Sequence, residues 1–181
     1  RNLKKNDGSY TAGVDGKNIE YLQTWEMDKL IFHIQRKFNN YSPQPVRRVE
    51  IPKPNGKTRP LGIPTIMDRM IQQCILQVLE PICEAKFHKK SNGFRPNKST
   101  ENAIAQMETL IQLSNYHIIV DIDIKGFFDN VNHSKLLKQI WTLGIRDKKL
   151  ICIISAMLKA EIKGVGIPEK GTPQGGILSP L

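Results

Sequence analysis

The chain has 181 residues, 39% of them hydrophobic and 24% charged, enough to bury one core or a core and part of a second. Its 27 Lys and Arg against 17 Asp and Glu give a net charge of +10, so the expected partner is a polyanion, nucleic acid rather than an acidic membrane surface. No apolar run approaches the roughly 20 residues that span a bilayer, and no signal-peptide pattern opens the chain. Cys74, Cys83 and Cys152 are odd in number and far apart, which reads as reduced core thiols, and the four scattered histidines show no zinc-ligand spacing with them.

Residues 1–16, RNLKKNDGSYTAGVDG, are polar and glycine-bearing and read as an arm or loop rather than core. From Asn18 the spacing turns helical, with Ile19, Leu22, Leu30, Ile31, Ile34 and Phe38 near one face until Pro43 and Pro45 stop it. Residues 46–64 read as a hairpin around Asn55-Gly56, because both turn positions favour positive φ. Five Lys and Arg (Arg47, Arg48, Lys53, Lys57, Arg59) accompany a single acid, Glu50. Such a hairpin suits either a charge-protected edge or the binding of a triphosphate.

A long helix is predicted over 66–88, with Met67, Met70, Ile71, Cys74, Ile75, Val78 and Leu79 as its buried stripe. Its polar members Asp68, Arg69, Gln72 and Gln73 are expected to fix the hairpin to the helix by hydrogen bonds. The loop SNGFRPNKS then leads into a helix over 101–113 capped by Ser99 or Thr100, and it sets Phe94 beside Arg95 and Lys98, a pairing suited to a stacked base and its phosphate.

Residues 117–124 alternate as a strand does, with Ile118, Val120, Ile122 and Ile124 on one face and Ile119, Asp121 and Asp123 on the other. Buried carboxylates must be paired or hold a metal, and a strand-end Asp with a backbone carbonyl beside it suits Mg2+; two solvated carboxylates on a half-exposed strand fit the spacing equally. After Gly126, Phe127, Phe128 and Asp129, the run Asn132-His133-Ser134 caps a helix with Leu136, Leu137 and Ile140 inward and Gly144 as its stop. A second helix follows Asp147, then a short strand and turn over 161–171, and the glycine-rich GTPQGGILSPL.

Four stretches, in this order, resemble the reverse transcriptases encoded by group II introns: RRVEIPKPNGKTRPLGIPTIMDRMIQQ (47–73), NGFRPNKSTENAI (92–104), DIKGFFDNVNH (123–133) and KGTPQGGILSPL (170–181). TAGVDG (11–16) more loosely resembles that family's N-terminal extension. The resemblance implies an α+β right-hand polymerase fold: residues 1–115 as extension and fingers, made of helices and a β-hairpin, and 116–181 as an incomplete palm sheet with packed helices. It implies template-directed DNA synthesis on RNA with two Mg2+ ions, Asp123 as metal ligand and catalytic carboxylate, and the Ile124 carbonyl as a further ligand. Lys53 and Arg59 would meet the triphosphate, Phe128 would lie under the sugar, and Gln174 would line the pocket. Arg95, Lys98, Lys4 and Lys5 would contact nucleic acid.

Intron RNA, an RNA template with a DNA primer, and a dNTP are the implied partners, in a bacterial cytoplasmic ribonucleoprotein without a membrane. The family's Tyr-x-Asp-Asp hairpin has no counterpart, since no Asp-Asp pair occurs in the sequence. The 181 residues are therefore expected to be a catalytically inert fragment of a larger polymerase, able to pair as a homodimer through an exposed sheet edge. A non-catalytic RNA-binding maturase module, or a retron or diversity-generating enzyme, are the other readings.

Overall fold

The computed structural model describes every residue except 1, 2, 6, 55, 57, 115, 173, 174 and 180, and excludes the side chains of Lys5 and Asp7. Helices and one antiparallel hairpin make up the regular structure. Two short 3-10 turns, Leu3–Lys5 and Asp7–Tyr10, precede α1 (Ile19–Gln23) and α2 (Met27–Asn39). The single helix expected from Asn18 is thus two. Asn18 caps α1 by accepting the Glu20 N–H, and the Thr24 hydroxyl turns back onto the Tyr21 carbonyl where α1 ends.

The hairpin consists of β1 (Arg47–Pro52) and β2 (Thr58–Ile63), in register from Arg47 opposite Ile63 to Pro52 opposite Thr58. Pro52 and Pro54 have no N–H to extend the ladder toward the tip. Gly56 takes the expected positive φ of 75° and donates to the Lys53 carbonyl at 3.0 Å, while Asn55 lies outside the described residues. The segment after residue 160 adds a single parallel bridge to the start of the hairpin, Val46 to Ile162, and closes its own turn from Ile162 to Gly166.

The long helix α3 (Ile66–Glu84) ends four residues earlier than its predicted bound, where Ala85 caps it and Phe87 turns back on the Cys83 carbonyl. Ile71, Ile75, Leu79 and Cys83 on α3 meet Ile153, Ile154, Met157 and Leu158 on α7 (Lys148–Leu158) in the main core. Leu136, Leu137 and Ile140 of α6 (His133–Thr142) pack on it as predicted, with Asn132 and Asp147 capping α6 and α7. A second cluster joins Leu3, Ile19, Leu22 and Ile66.

Three expectations are corrected here. The first 16 residues contribute to the core, since Leu3 is 8% exposed and packs with α1 and α3. Val78 is 58% exposed and Cys152 is exposed, so neither belongs to the core. Residues 117–124 do not form a strand: they join no ladder among the described residues, and Ile118, Val120 and Ile122 are all more than 70% exposed. A strand exists by pairing, and among the described residues β1 and β2 make the only sheet. α4 (Thr100–Gln112) carries the predicted cap, a reciprocal box between Ser99 and Asn102.

Candidate nucleotide and nucleic-acid site

The described residues of the glycine-rich segment, 170–172 and 175–177, bring the motifs together. Gly171 N–H donates to the Val131 carbonyl and Thr172 N–H to the Phe128 carbonyl, each at 2.8 Å. At φ +86°, a Cβ on Gly171 would stand 3.0 Å from the carbonyl oxygens of Phe128 and Asp129. Farther along, Gly175 (φ +109°) lies so close to β2 that a Cβ would reach the Gly62 carbonyl at 2.7 Å. Ile177 N–H then donates to Gln72 Oε1 on α3 at 2.8 Å. One backbone strap therefore touches the aromatic turn, the basic hairpin and the long helix, and only glycine permits the first two approaches.

The aromatic turn is α5 (Phe127–Asn130), entered through Gly126 in the left-handed region. Phe128 is half-buried and meets Phe127 edge to face, with centroids 5.5 Å apart. Between this turn and the hairpin lies a cavity of about 150 Å³ lined by Arg48, Asp129, Lys170 and Thr172 among others. Arg48 also pairs with Glu50 at 2.8 Å, and the hydrogen bonds from Arg48 and Thr58 hold the Glu50 carboxyl below its usual range. Lys170 Nζ donates to Asn130 Oδ1 at 2.8 Å. The Thr172 hydroxyl and Arg47 Nε are buried without a hydrogen-bond partner, a polar surplus beside the cavity and the hairpin.

Lys53 and Arg59 are exposed near the hairpin tip, with Arg59 opposite Ile51. Asp123 and Ile124 sit on the exposed segment that leads into α5, and Lys4 is exposed on the N-terminal arm. Gln174 and the Lys5 side chain fall outside the described residues. No group of three or more His, Cys, Asp or Glu converges among the described residues. A Mg2+ ion wants about six oxygens, and Asp123 with the Ile124 carbonyl would supply two of them, with no further carboxylate converging on them among the described residues.

Arg95, expected to contact nucleic acid, is also engaged within the protein. Its guanidinium is spent inside the protein, on Glu84 through Nε at 2.9 Å and Nη2 at 2.5 Å, and on the carbonyls of His88 and Ser91 through Nη1. It also lies over the Phe87 ring. The loop is held shut by this residue, which leaves Phe94, 81% exposed at a positive φ of 54°, and half-buried Lys98 as its outward members.

Of the polar residues of α3 expected to fix the hairpin to the helix, Arg69 reaches its end at Pro64, whereas Asp68 and Gln72 bond other segments. Asp68 accepts from Tyr41 Oη (3.0 Å), Gln44 N–H (3.1 Å) and Thr65 Oγ1 (2.7 Å). Arg69 donates to the Pro64 carbonyl after β2, and to the carbonyls of Gly8 and Thr11, which docks the N-terminal arm. Arg48, Lys170 and His133 were missed by sequence reasoning. His133 was read only as part of a helix cap, yet it is 6% exposed and its Nε2 lies 2.7 Å from the Gly171 carbonyl oxygen.

Residues 51–181 match the family model described as reverse transcriptase (RNA-dependent DNA polymerase). The chain belongs to this family. It is 40% identical over 185 residues to the group II intron-encoded protein LtrA of Lactococcus lactis, covering all of this chain and 30% of that protein. It is 38% identical over 183 residues to protein YkfC of Escherichia coli K12, covering 96% of this chain and 47% of that protein. Over 102 residues it is 28% identical to the nuclear intron maturase 1 of Arabidopsis thaliana, 56% of this chain and 14% of that protein. The group II intron branch of the reverse transcriptase family is thus where the resemblance drawn from the motifs leads. This reverse transcriptase chain spans less than half the length of these curated relatives.

Proposed function

We propose that the chain is the fingers and the beginning of the palm of a group II intron reverse transcriptase that also binds intron RNA as a maturase, with residues 1–115 as extension and fingers and 116–181 as partial palm. The observation that carries this is the strap at 170–177, which sets the cavity between the basic hairpin and the Phe128 turn. In this reading Lys53 and Arg59 neutralise the triphosphate of an incoming dNTP, Phe128 packs under its sugar, and Lys98 and Lys4 meet nucleic-acid phosphate. Asp123 contributes one carboxylate to a metal centre completed by groups beyond those described, so the 181 residues alone do not extend a primer.

Primer extension on an RNA template tests this with three proteins: the 181-residue chain, the chain continued through the rest of its palm, and the continued chain carrying Asp123→Asn. Activity confined to the continued chain and abolished by Asp123→Asn is expected. A continued chain that stays inert while the 181 residues bind structured RNA with a steep salt dependence would replace the polymerase by an RNA-binding maturase module, the reading favoured by the net charge of +10. The exposed segment from Ile118 to Ile124, which joins no ladder among the described residues, is where two copies would pair, and light scattering that finds only monomer at high concentration removes the homodimer.

A further inference from the structure

We infer that His133 is a positioning residue for the nucleotide site, setting dNTP affinity and sugar preference through Gly171 and the backbone of Phe128. The inference rests on the polymerase reading above and adds to it a residue that touches neither substrate nor metal.

The geometry is a short relay. His133 is the first residue of α6 and is buried. A carbonyl only accepts, so His133 Nε2 carries a hydrogen and donates it to Gly171 across 2.7 Å. Gly171 returns its own N–H to Val131, and the next amide, Thr172, donates to the carbonyl of Phe128. Three consecutive hydrogen bonds thus pin two strap residues to 128, 131 and 133. The approach is close enough that a Cβ on Gly171 would stand 3.0 Å from the carbonyl oxygens of Phe128 and Asp129. Without the imidazole donor the Gly171 carbonyl is left in a buried place without that partner, and the strap loses the contact that holds it down on the aromatic turn. A displacement of under about 1 Å in an aromatic that orients a reacting sugar is enough to alter binding and selection strongly.

A purely structural role predicts something different. The fold of α6 depends on the Asn132 cap, which accepts the Lys135 N–H at 2.9 Å, and on Leu136, Leu137 and Ile140 against the core. None of these uses Nε2. His133→Leu should therefore leave the helix formed and shift the site. Gln places an amide N–H near the reach of Nε2, so His133→Gln should restore it.

The test uses the chain continued through its palm, with dNTP and rNTP incorporation measured at steady state for wild type, His133→Leu and His133→Gln. With His133→Leu the KM for dNTP rises about tenfold, kcat changes by less than about threefold, and preference for dNTP over rNTP falls about tenfold. His133→Gln lies near wild type. Equal KM and preference in His133→Leu and wild type, or a Gln variant no better than the Leu variant, overturn the inference. In parallel, amide hydrogen exchange is read at Gly171 and Thr172 in the 181-residue chain. Faster exchange in His133→Leu, restored in His133→Gln, supports the relay, and unchanged exchange overturns it. A wild-type protein that shows the exchange pattern but incorporates no nucleotide refutes the polymerase reading, and with it the claim on nucleotide selection.

Discussion

Arg95 and Glu84 close on each other across the turn that follows α3, with Nη2 2.5 Å from Oε1 and Nε 2.9 Å from Oε2. The forked contact ties a motif loop to the end of a helix, and the hydrogen bond from Arg95 holds the Glu84 carboxyl below its usual range. A lowered folded value means that this contribution is present above the ordinary carboxyl value of 4.5 and is lost as pH falls through the folded one. The melting temperature of Glu84→Gln should therefore lie a few degrees below wild type at pH 7, with the gap closing as the pH is taken well under 4.5. Arg95→Lys keeps the charge and loses the fork, so it should also melt below wild type at pH 7. Thermal melts of the variants at several pH values check both.

Asp68 is the hub of α3, buried and accepting from Tyr41, Gln44 and Thr65. Replacing it with Ala leaves those donors unmet, so Asp68→Ala should destabilise the chain by about 2–4 kcal/mol in urea unfolding, and Tyr41→Phe by about 1 kcal/mol. Burial and the neighbouring carboxylate push the Tyr41 hydroxyl well above its ordinary 10.0. The unfolded chain ionises first, so stability falls as pH rises past about 10 in wild type and falls less in Tyr41→Phe.

Much of the helical frame was legible because its signals are local. Ser99, Asn132 and Asp147 cap helices where the sequence places them, and the apolar spacing of α3 and α7 marks the faces that meet. The strand at 117–124 was misread because alternation reports what a strand needs and not whether a neighbour pairs with it. The partner of Arg95 was hidden for a related reason: an arginine beside an exposed Phe looks ready for a phosphate, and Glu84, 11 positions away, gives no local sign of pairing with it. His133 and Gly171 are 38 positions apart, and neither residue advertises the other. Non-local pairing is where pattern stops and geometry starts.

Lys53 and Arg59 supply a prediction about the hairpin. Point charges on an exposed tip act through screened electrostatics, so Lys53→Ala and Arg59→Ala should weaken dNTP binding several-fold at low salt and less at high salt. Arg59→Lys should recover part of the loss, because it restores charge without the planar fork. Titration of a non-hydrolysable dNTP at two ionic strengths, in the chain continued through its palm, gives the comparison. Equal weakening at both salts would mean that these residues shape the hairpin rather than attract phosphate.

Gly175 and Gly62 test the strap itself. The Cβ of an alanine at 175 would stand 2.7 Å from the Gly62 carbonyl oxygen and 3.0 Å from Leu61 Cδ1, on a backbone at φ +109° that L-residues rarely adopt. Backbone cannot yield as a flexible side chain can, so Gly175→Ala should cost about 1–3 kcal/mol or lift the strap from β2. Alanine at Gly93, where an added Cβ would meet nothing within 4 Å, serves as the control. Limited proteolysis separates the two outcomes: a lifted strap is cut after Lys170 at an increased rate with the rest of the chain intact, whereas uniform destabilisation raises cleavage everywhere. Should Gly175→Ala and Gly93→Ala resist protease and urea equally, the close approach to β2 does not hold the strap, and the cavity beside Arg48 and Lys170 owes its shape to the hydrogen bonds at Gly171 and Thr172 alone.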